Sequence, residues 1–450
     1  MYVQQIYTSC LAQASYYIES DKEAVIIDPI RDFSPYIQLL KQRKAKLKYI
    51  LETHFHADFV SGHIELARLT NAKIVFGPNA ETAYDCVIAK NNEEFSVGTL
   101  SFRVLHTPGH TMESTCYLLL SENYPHAIFT GDTLFVGEVG RPDLAVNPNL
   151  NSKDLAGMLY NSLHNIIMKL PDDVIVYPGH GAGSSCGKNI SKERTSTIGE
   201  QKKLNYALQE MSQEAFCNLV LEGILPPPQY FSHDVNMNKN GYQSVSDVLV
   251  KSLQKLDSQT IADYINKEAV ILDVRMPHDF EKGFIPGSIN IGKDGMFAPW
   301  VGTLISASTE LIVICNNNEE EEIISRLARV GYEKVVGYAH GITQWVKENR
   351  PINKIQSIYP SNLIKEQKDS IVIDVRKKSE LQLGFVENSM HIPLDELEST
   401  CSQLDTSQKY FIYCAGGYRS MIACSILTAK GYENTINIYG GFTAIAQNMA

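Results

Sequence analysis

Through the first 235 residues, short apolar runs alternate with Gly, Pro and Asp, the pattern of β-strands broken by sharp turns. Four of these runs stop at a residue with metal-binding chemistry. Lys48–Glu52 leads to Thr53 and His54, and Leu100–Leu105 leads to His106-Thr-Pro-Gly-His110. His126–Phe129 leads to Gly131 and Asp132, and Val174–Tyr177 leads to Pro178, Gly179 and His180. After Leu225 come Pro226, Pro227 and Pro228, and then the polar stretch NMNKNGYQSVSD, which predicts a connector or the edge of a lid.

The remainder repeats itself with a period of about 100 residues. ILDVRMPHDFEKGFIPGSINI begins at Ile271 and VIDVRKKSELQLGFVENSMHI at Val372. In each copy a Gly-Phe follows the Asp by ten residues, Asp273 to Gly283 and Asp374 to Gly384. Each copy then has an apolar run ending in cysteine (Cys315, Cys414), a helix-like segment, and Gly-Tyr-Glu at Gly331 or Gly431. Matched landmarks in matched order imply duplication, and the strand–helix–strand rhythm implies two tandem α/β domains. The expected domains are residues 1–240, 255–352 and 358–450.

Length and composition agree: 450 residues suggest about three domains, and 44% hydrophobic with 20% charged residues is an ordinary globular balance. A net charge of −11 argues against nucleic acid or an anionic membrane as partner, since both need a basic face. No apolar run approaches the roughly 18 residues of a membrane span. The start, MYVQQIYTSC, resembles neither a secretory signal nor a transit peptide. Nine scattered cysteines without a CxxC pair suggest a reducing, cytoplasmic setting.

Imidazoles and carboxylates at several strand ends facing one sheet edge make a first-row metal site the expected reading, over unrelated hydrogen-bonding loop histidines. His63 opens the helical stretch HIELARLT, and a solvated position is expected for it. His106, His126 and His164 are likewise not expected as ligands.

THFHAD, TPGH, TGD and YPGH resemble the metallo-β-lactamase superfamily, an αβ/βα sandwich with its site at the sheet edges. The family pattern HxHxDH implies one metal on His54, His56 and His110, a second on Asp58, the next histidine and His180, and Asp132 bridging them. Here the next residue is Phe59, whose ring has no lone pair to give, so the resemblance implies one metal. Gly131-Asp132-Thr-Leu-Phe135 followed by Gly140-Arg141-Pro-Asp143 is similar to the persulfide dioxygenases. That subfamily implies one Fe(II) per chain on His54, His110 and Asp132, with positions open to O2 and a sulfur substrate. His56, Asp58 and His180 then become neighbours that orient ligands or bind water. Arg141 is either a clamp for a substrate carboxylate or one half of a structural salt bridge. Cys186, in GAGSSCGK, either exchanges sulfur near the iron or is an unreactive loop thiol.

Cys414-Ala-Gly-Gly-Tyr-Arg419-Ser420 follows the apolar strand KYFIY. A cysteine at a strand end, opening a glycine loop that enters a helix, receives backbone N–H groups and the positive helix end, which stabilise a thiolate and then a persulfide. This stretch resembles the rhodanese sulfurtransferases, which implies Cys414 as nucleophile, Arg419 and Ser420 around its anionic substrate, and Asp374 with Arg376 as a scaffold pair. Cys315 is instead followed by three asparagines and Glu319 to Glu322, with no glycine and no arginine. This stretch resembles a degenerate rhodanese kept as a spacer, a dimerisation surface or a channel wall, with a residual carrier role for Cys315 as the alternative.

The order of segments resembles bacterial fusion enzymes of sulfide detoxification. It implies that a low-molecular-weight thiol persulfide and O2 give sulfite and thiol, while Cys414 moves sulfane sulfur to or from sulfite and thiosulfate in a self-associating chain. The alternatives are a glyoxalase II-like thioester hydrolase fused to rhodanese, using metal-bound hydroxide, and a persulfide carrier or sensor without oxygen chemistry. The thiol carrier, the direction of sulfur transfer and the passage of sulfite between sites stay open.

Overall fold

The apolar runs of the first half become two six-stranded sheets in a computed structural model that describes residues 1–224, 226–366 and 371–449. Leu225, before the proline run, and Ala450, the last residue of the third expected domain, lie outside the described residues. The first sheet holds β1 (Tyr2–Thr8), β2 (Gln13–Ser20), β3 (Glu23–Ile27), β4 (Lys46–Leu51), β5 (Lys73–Phe76) and β6 (Val87–Ile88) in sequential order. The second holds β7 (Glu94–Val97), β8 (Leu100–His106), β9 (Thr115–Ser121), β10 (Tyr124–Gly131), β11 (Ile175–Pro178) and β12 (Ser196–Thr197), again in order.

Alternation along β9 shows why two layers form. Tyr117 and Leu119 face Tyr16, Ile18, Val25 and Leu51 of the first sheet in a shared core. Cys116, Leu118 and Leu120 face the other way, onto Leu159 and Leu163 of the helix Ser152–Asn165 and Phe216 of the helix Gln213–Leu221. Successive side chains point to opposite faces of a strand, so one apolar run serves both cores. The helix His63–Thr70 packs on β4 and β5 of the first sheet. This is the αβ/βα sandwich.

The stretch 236–247, expected as a connector, is largely helical: Phe231–Asn240 and Val245–Ser252 are helices. Met237 and Asn238 are buried, so a polar composition hides an inward face.

The second half is built twice. β13 (Val270–Asp273), β14 (Ile289–Asn290), β15 (Leu311–Cys315) and β16 (Val335–His340) form a parallel sheet in the order β14-β13-β15-β16. β17 (Gln356–Ile358), β18 (Ile371–Asp374), β19 (Met390–His391), β20 (Tyr410–Tyr413) and β21 (Thr435–Ile438) form another, in the order β17-β21-β20-β18-β19. The shared ten-residue spacing has a physical cause. Arg275 Nη2 lies 2.5 Å from Asp273 Oδ2 and donates to the Gly283 carbonyl at 3.1 Å. Arg376 Nη2 lies 2.6 Å from Asp374 Oδ2 and donates to the Gly384 carbonyl at 2.8 Å. In both copies a buried arginine staples the strand end to the glycine turn.

Residues 1–245 with 328–331 form one unit, and residues 246–327 with 332–450 form the other. Among the described residues no helix is long and apolar enough to cross a membrane.

Candidate metal centre and sulfur-transfer loop

Three ligand atoms converge at the edge of the sandwich. One atom each of His54, His110 and Asp132 lies within 4.8 Å of the others, and all three residues are buried. Asp132 Oδ2 is 3.5 Å from His110 Nε2 and 3.9 Å from His54 Nε2. Among the described residues it has no hydrogen-bond partner, although it is buried.

The neighbours fix which nitrogen of each ring is free. Thr53 Oγ1 donates to Asp28 Oδ2 at 2.8 Å, so it must accept from His54 Nδ1, 3.0 Å away. His110 Nδ1 faces the Arg141 carbonyl at 2.9 Å and must also donate. Both Nε2 lone pairs are therefore left for a metal. Burial, with His56 beside it, holds the His54 imidazole well below its usual range, in the neutral form that a metal requires. An orphaned carboxylate oxygen with two free imidazole lone pairs fits a divalent first-row cation.

His180 stands behind this triad. Its Nδ1 is 2.8 Å from Asp132 Oδ1 and its Nε2 is 2.9 Å from Asp58 Oδ2. Burial opposes a charge there, but the two carboxylates outweigh it and hold the ring protonated. His180 thus binds Asp132 by one oxygen and leaves Oδ2 facing the histidines.

His56 turns the other way. Its Nε2 is 3.2 Å from Asp28 Oδ1 and 3.5 Å from Glu52 Oε2, and its ring stacks on Phe59 at 4.3 Å between centroids. Against the penalty of burial, Asp28 and Glu52 push its pKa up to about 10. Phe59 is fully buried.

In the last repeat Cys414 sits at the end of β20, and the Gly417 N–H donates to its Sγ at 3.1 Å. Gly417 has φ +101°, a conformation that a side chain resists, and it caps the twelve-residue helix Tyr418–Ala429. The Ser420 hydroxyl is 3.6 Å from Cys414 Sγ and 2.7 Å from Asn437 Oδ1. Arg419 forms a two-pronged bridge to Glu380 at 2.6 and 2.7 Å, and this bridge holds the Glu380 carboxyl below its usual range.

The rhodanese-like domain family matches residues 257–348 and 361–448, and the metallo-beta-lactamase superfamily matches residues 8–85 and 87–180. The structure of a metallo-beta-lactamase from Staphylococcus aureus subsp. aureus COL is 30% identical with a TM-score of 0.67, covering 76% of this chain and 99% of that one. The chain belongs to the metallo-β-lactamase superfamily and carries two rhodanese-like domains. The human mitochondrial persulfide dioxygenase ETHE1 is 30% identical over 219 residues, 48% of this chain and 78% of that protein. A hydroxyacylglutathione hydrolase of Dictyostelium discoideum is 27% identical over 248 residues, 51% of this chain and 88% of that protein. Identity alone does not separate these two activities.

Around the centre of the metallo-β-lactamase domain, the remaining residues named from sequence divide. Arg141 lies 2.7 Å from each carboxylate oxygen of Asp143, a bidentate bridge that occupies Nε and Nη2. Cys186 is buried, and its sulfur lies within 4.8 Å of ligand atoms of Asp58 and His180. Burial and then the Asp58 and Asp132 charges push its thiol well up, toward the protonated form. His63, expected in solvent, is fully buried: Nδ1 is 3.3 Å from Glu52 Oε1 and Nε2 is 2.7 Å from the Tyr84 hydroxyl. An apolar helix face would exclude it, but a carboxylate and a phenol partner it there.

Several positioning residues escaped the sequence reading. Asp28 holds Thr53 by N and Oγ1 at 2.7 and 2.8 Å, and Glu113 accepts from Phe55 N at 3.0 Å. Asn238 donates to the His56 and Phe59 carbonyls at 2.8 and 2.9 Å and accepts from Ser61 N at 2.9 Å. Asp28 and Glu52 do end apolar runs, the same signal that marked Asp132. Asn238 carries no such signal.

In the first rhodanese-like domain, burial and then Glu320 and Glu319 push the Cys315 thiol up to about 12. The Asn316 N–H, which could have faced the sulfur, donates to Glu319 Oε2 at 3.2 Å.

Proposed function

We propose that the chain is a persulfide dioxygenase joined to a thiosulfate sulfurtransferase. The observation that carries this reading over thioester hydrolysis is Phe59, an apolar ring stacked on His56 where a second metal would need an imidazole. A hydrolase of the two-metal kind depends on that second cation to generate and hold its nucleophile.

His54, His110 and Asp132 would hold one Fe(II), which when bound would supply the oxygen chemistry by which a low-molecular-weight thiol persulfide, O2 and one water give sulfite, the thiol and two protons. Around it, Thr53 and the Arg141 carbonyl keep both ligand imidazoles in one tautomer. His180, charged between Asp58 and Asp132, keeps Asp132 Oδ2 directed at the histidines.

Cys414 carries the second reaction. Its thiolate attacks the sulfane sulfur of a persulfide, the sulfur–sulfur bond breaks, and the donor thiol leaves. The resulting cysteine persulfide gives its outer sulfur to sulfite, forming thiosulfate and returning the thiolate. The reverse course takes sulfur from thiosulfate. In either direction the Gly417 N–H and the helix it caps stabilise the negative sulfur.

Metal analysis combined with thioester hydrolysis tests the reading. The expected result is one iron that Asp132→Ala removes, and no hydrolysis of a glutathione thioester. Two metals lost together on Asp132→Ala, with thioester hydrolysis in the parent chain, would replace the proposal with a glyoxalase II-like hydrolase.

A further inference from the structure

The first rhodanese-like domain has lost the features of a sulfur carrier, yet its former site is not featureless. β15 ends at Cys315, and β16 runs parallel to it with His340 in register beside Cys315. Glu320 opens the helix Glu320–Ala328 that follows the cysteine loop. One ligand atom each of Cys315, Glu320 and His340 lies within 4.8 Å of the other two. His340 Nε2 is 3.1 Å from Glu320 Oε2. Two ligands of a tetrahedral ion with bonds of about 2.0–2.1 Å stand roughly 3.3 Å apart, so this edge is already at coordinating distance.

The surroundings favour a cation over an anion. In the last domain the Gly417 N–H points at Cys414. Among the described residues no backbone N–H donates to the Cys315 sulfur, which lies 4.0 Å from the Ala339 carbonyl. Lys293 Nζ, the nearby basic group, is 3.0 Å from Asp294 and 3.7 Å from Glu319, which leaves Glu320 to His340. The His340 ring also lies against Tyr338, 5.1 Å between centroids. Cys315 is fully buried, while the side chains of Glu320 and His340 are 18% and 21% exposed. The trio therefore has a closed floor and one open side through which an ion and a water ligand can enter.

We infer that Cys315, Glu320 and His340 bind a divalent cation of the zinc type, with solvent in the fourth position. Thiolate, imidazole and carboxylate together form a borderline-soft ligand set that matches Zn2+ and disfavours Mg2+ or Ca2+. As the sulfur–metal bond forms, the thiol proton leaves to solvent, and no oxidation occurs. The same Glu319 and Glu320 charges that would repel a persulfide offset the charge of the ion. Bound there, the ion would fasten the start of the helix Glu320–Ala328 to the ends of β15 and β16. Domain degeneration then reads as exchange of an anion cradle for a cation site.

Co2+ titration of the metal-free full-length chain tests this, because only a thiolate ligand adds intense near-ultraviolet charge-transfer absorption. The expected result is a thiolate band that Asp132→Ala and Cys186→Ser keep and that Cys315→Ser loses. His340→Gln, which preserves size and polarity, should weaken the Zn2+ that competes the band away by more than about 100-fold, since even outer-shell partners are worth roughly 10–100-fold. A band that survives Cys315→Ser, or disappears with Cys186→Ser, would overturn the assignment. Retention of the band in Asp132→Ala separates this site from the proposed iron centre, so failure of one leaves the other standing.

Discussion

The Tyr418 hydroxyl donates to the Gly292 carbonyl at 2.8 Å, so a residue of the Cys414 loop is anchored in the neighbouring rhodanese-like domain. Gly295 makes room for it: a Cβ at that position would come within 2.7 Å of the Tyr418 ring. A further bond, from Asn290 N to Ser425 Oγ at 3.0 Å, joins the first rhodanese-like domain to the helix behind the loop. The first rhodanese-like domain thus buttresses the second.

Gly295→Val should therefore reduce sulfur transfer at Cys414 without touching oxygen chemistry. Misplacing a reacting group by about 1 Å can cost ~100-fold in rate, and a loss of roughly ten- to a hundredfold is expected. Thiosulfate:thiol sulfur transfer and persulfide-dependent O2 uptake, measured on one preparation, check it. Tyr418→Phe, which removes only the hydroxyl, should show a smaller loss of the same kind.

Cys414 and Cys315 should differ in loading. A thiol pushed up to about 12 is protonated throughout the neutral range and gains nucleophilicity only as pH rises toward that value. Incubation with thiosulfate at neutral pH should add one sulfur to the Cys414 peptide and none to the Cys315 peptide by mass spectrometry. Loading at Cys315 would show that its carboxylate neighbours do not suppress it.

Asn238 holds His56, Phe59 and Ser61 by three buried hydrogen bonds. Leaving buried partners unsatisfied costs about 1–3 kcal/mol each before relaxation, so Asn238→Ala should destabilise the first domain by about 2–4 kcal/mol. Iron content and O2 uptake should fall, while thiosulfate sulfur transfer should persist. Thermal unfolding resolved by domain, with metal analysis, measures both.

Phe59→His tests the one-metal reading directly. The variant should hold one more metal per chain than the parent. An unchanged count would mean that the His180 contacts to Asp58 and Asp132, rather than the missing imidazole, close that position.

The strand ends were readable because apolar runs stopping at His54, His110, Asp132, His180 and Cys414 carry both a period and a terminus. The repeat was readable because Asp–Arg–Gly spacing is a covalent length that the staple of Arg275 or Arg376 imposes. His63 was misjudged because burial of an imidazole depends on partners that a local window cannot reveal, here Glu52 and Tyr84. Asn238 was missed for the same reason, since its contacts reach about 180 residues back along the chain. Its polar neighbours made a helix with one buried face look like linker. The orientation of His56 depends on Asp28 and Glu52, and family spacing alone places it on the metal.

The most direct test of the account is oxygen consumption by the Fe(II)-loaded chain on addition of glutathione persulfide, with sulfite and thiosulfate assayed at the end. The parent should consume O2 and accumulate thiosulfate. Cys414→Ser should consume O2 and stop at sulfite, and Asp132→Ala should consume none while still moving sulfur between thiosulfate and thiol. No uptake by the parent with glutathione, coenzyme A or cysteine persulfide would contradict the account.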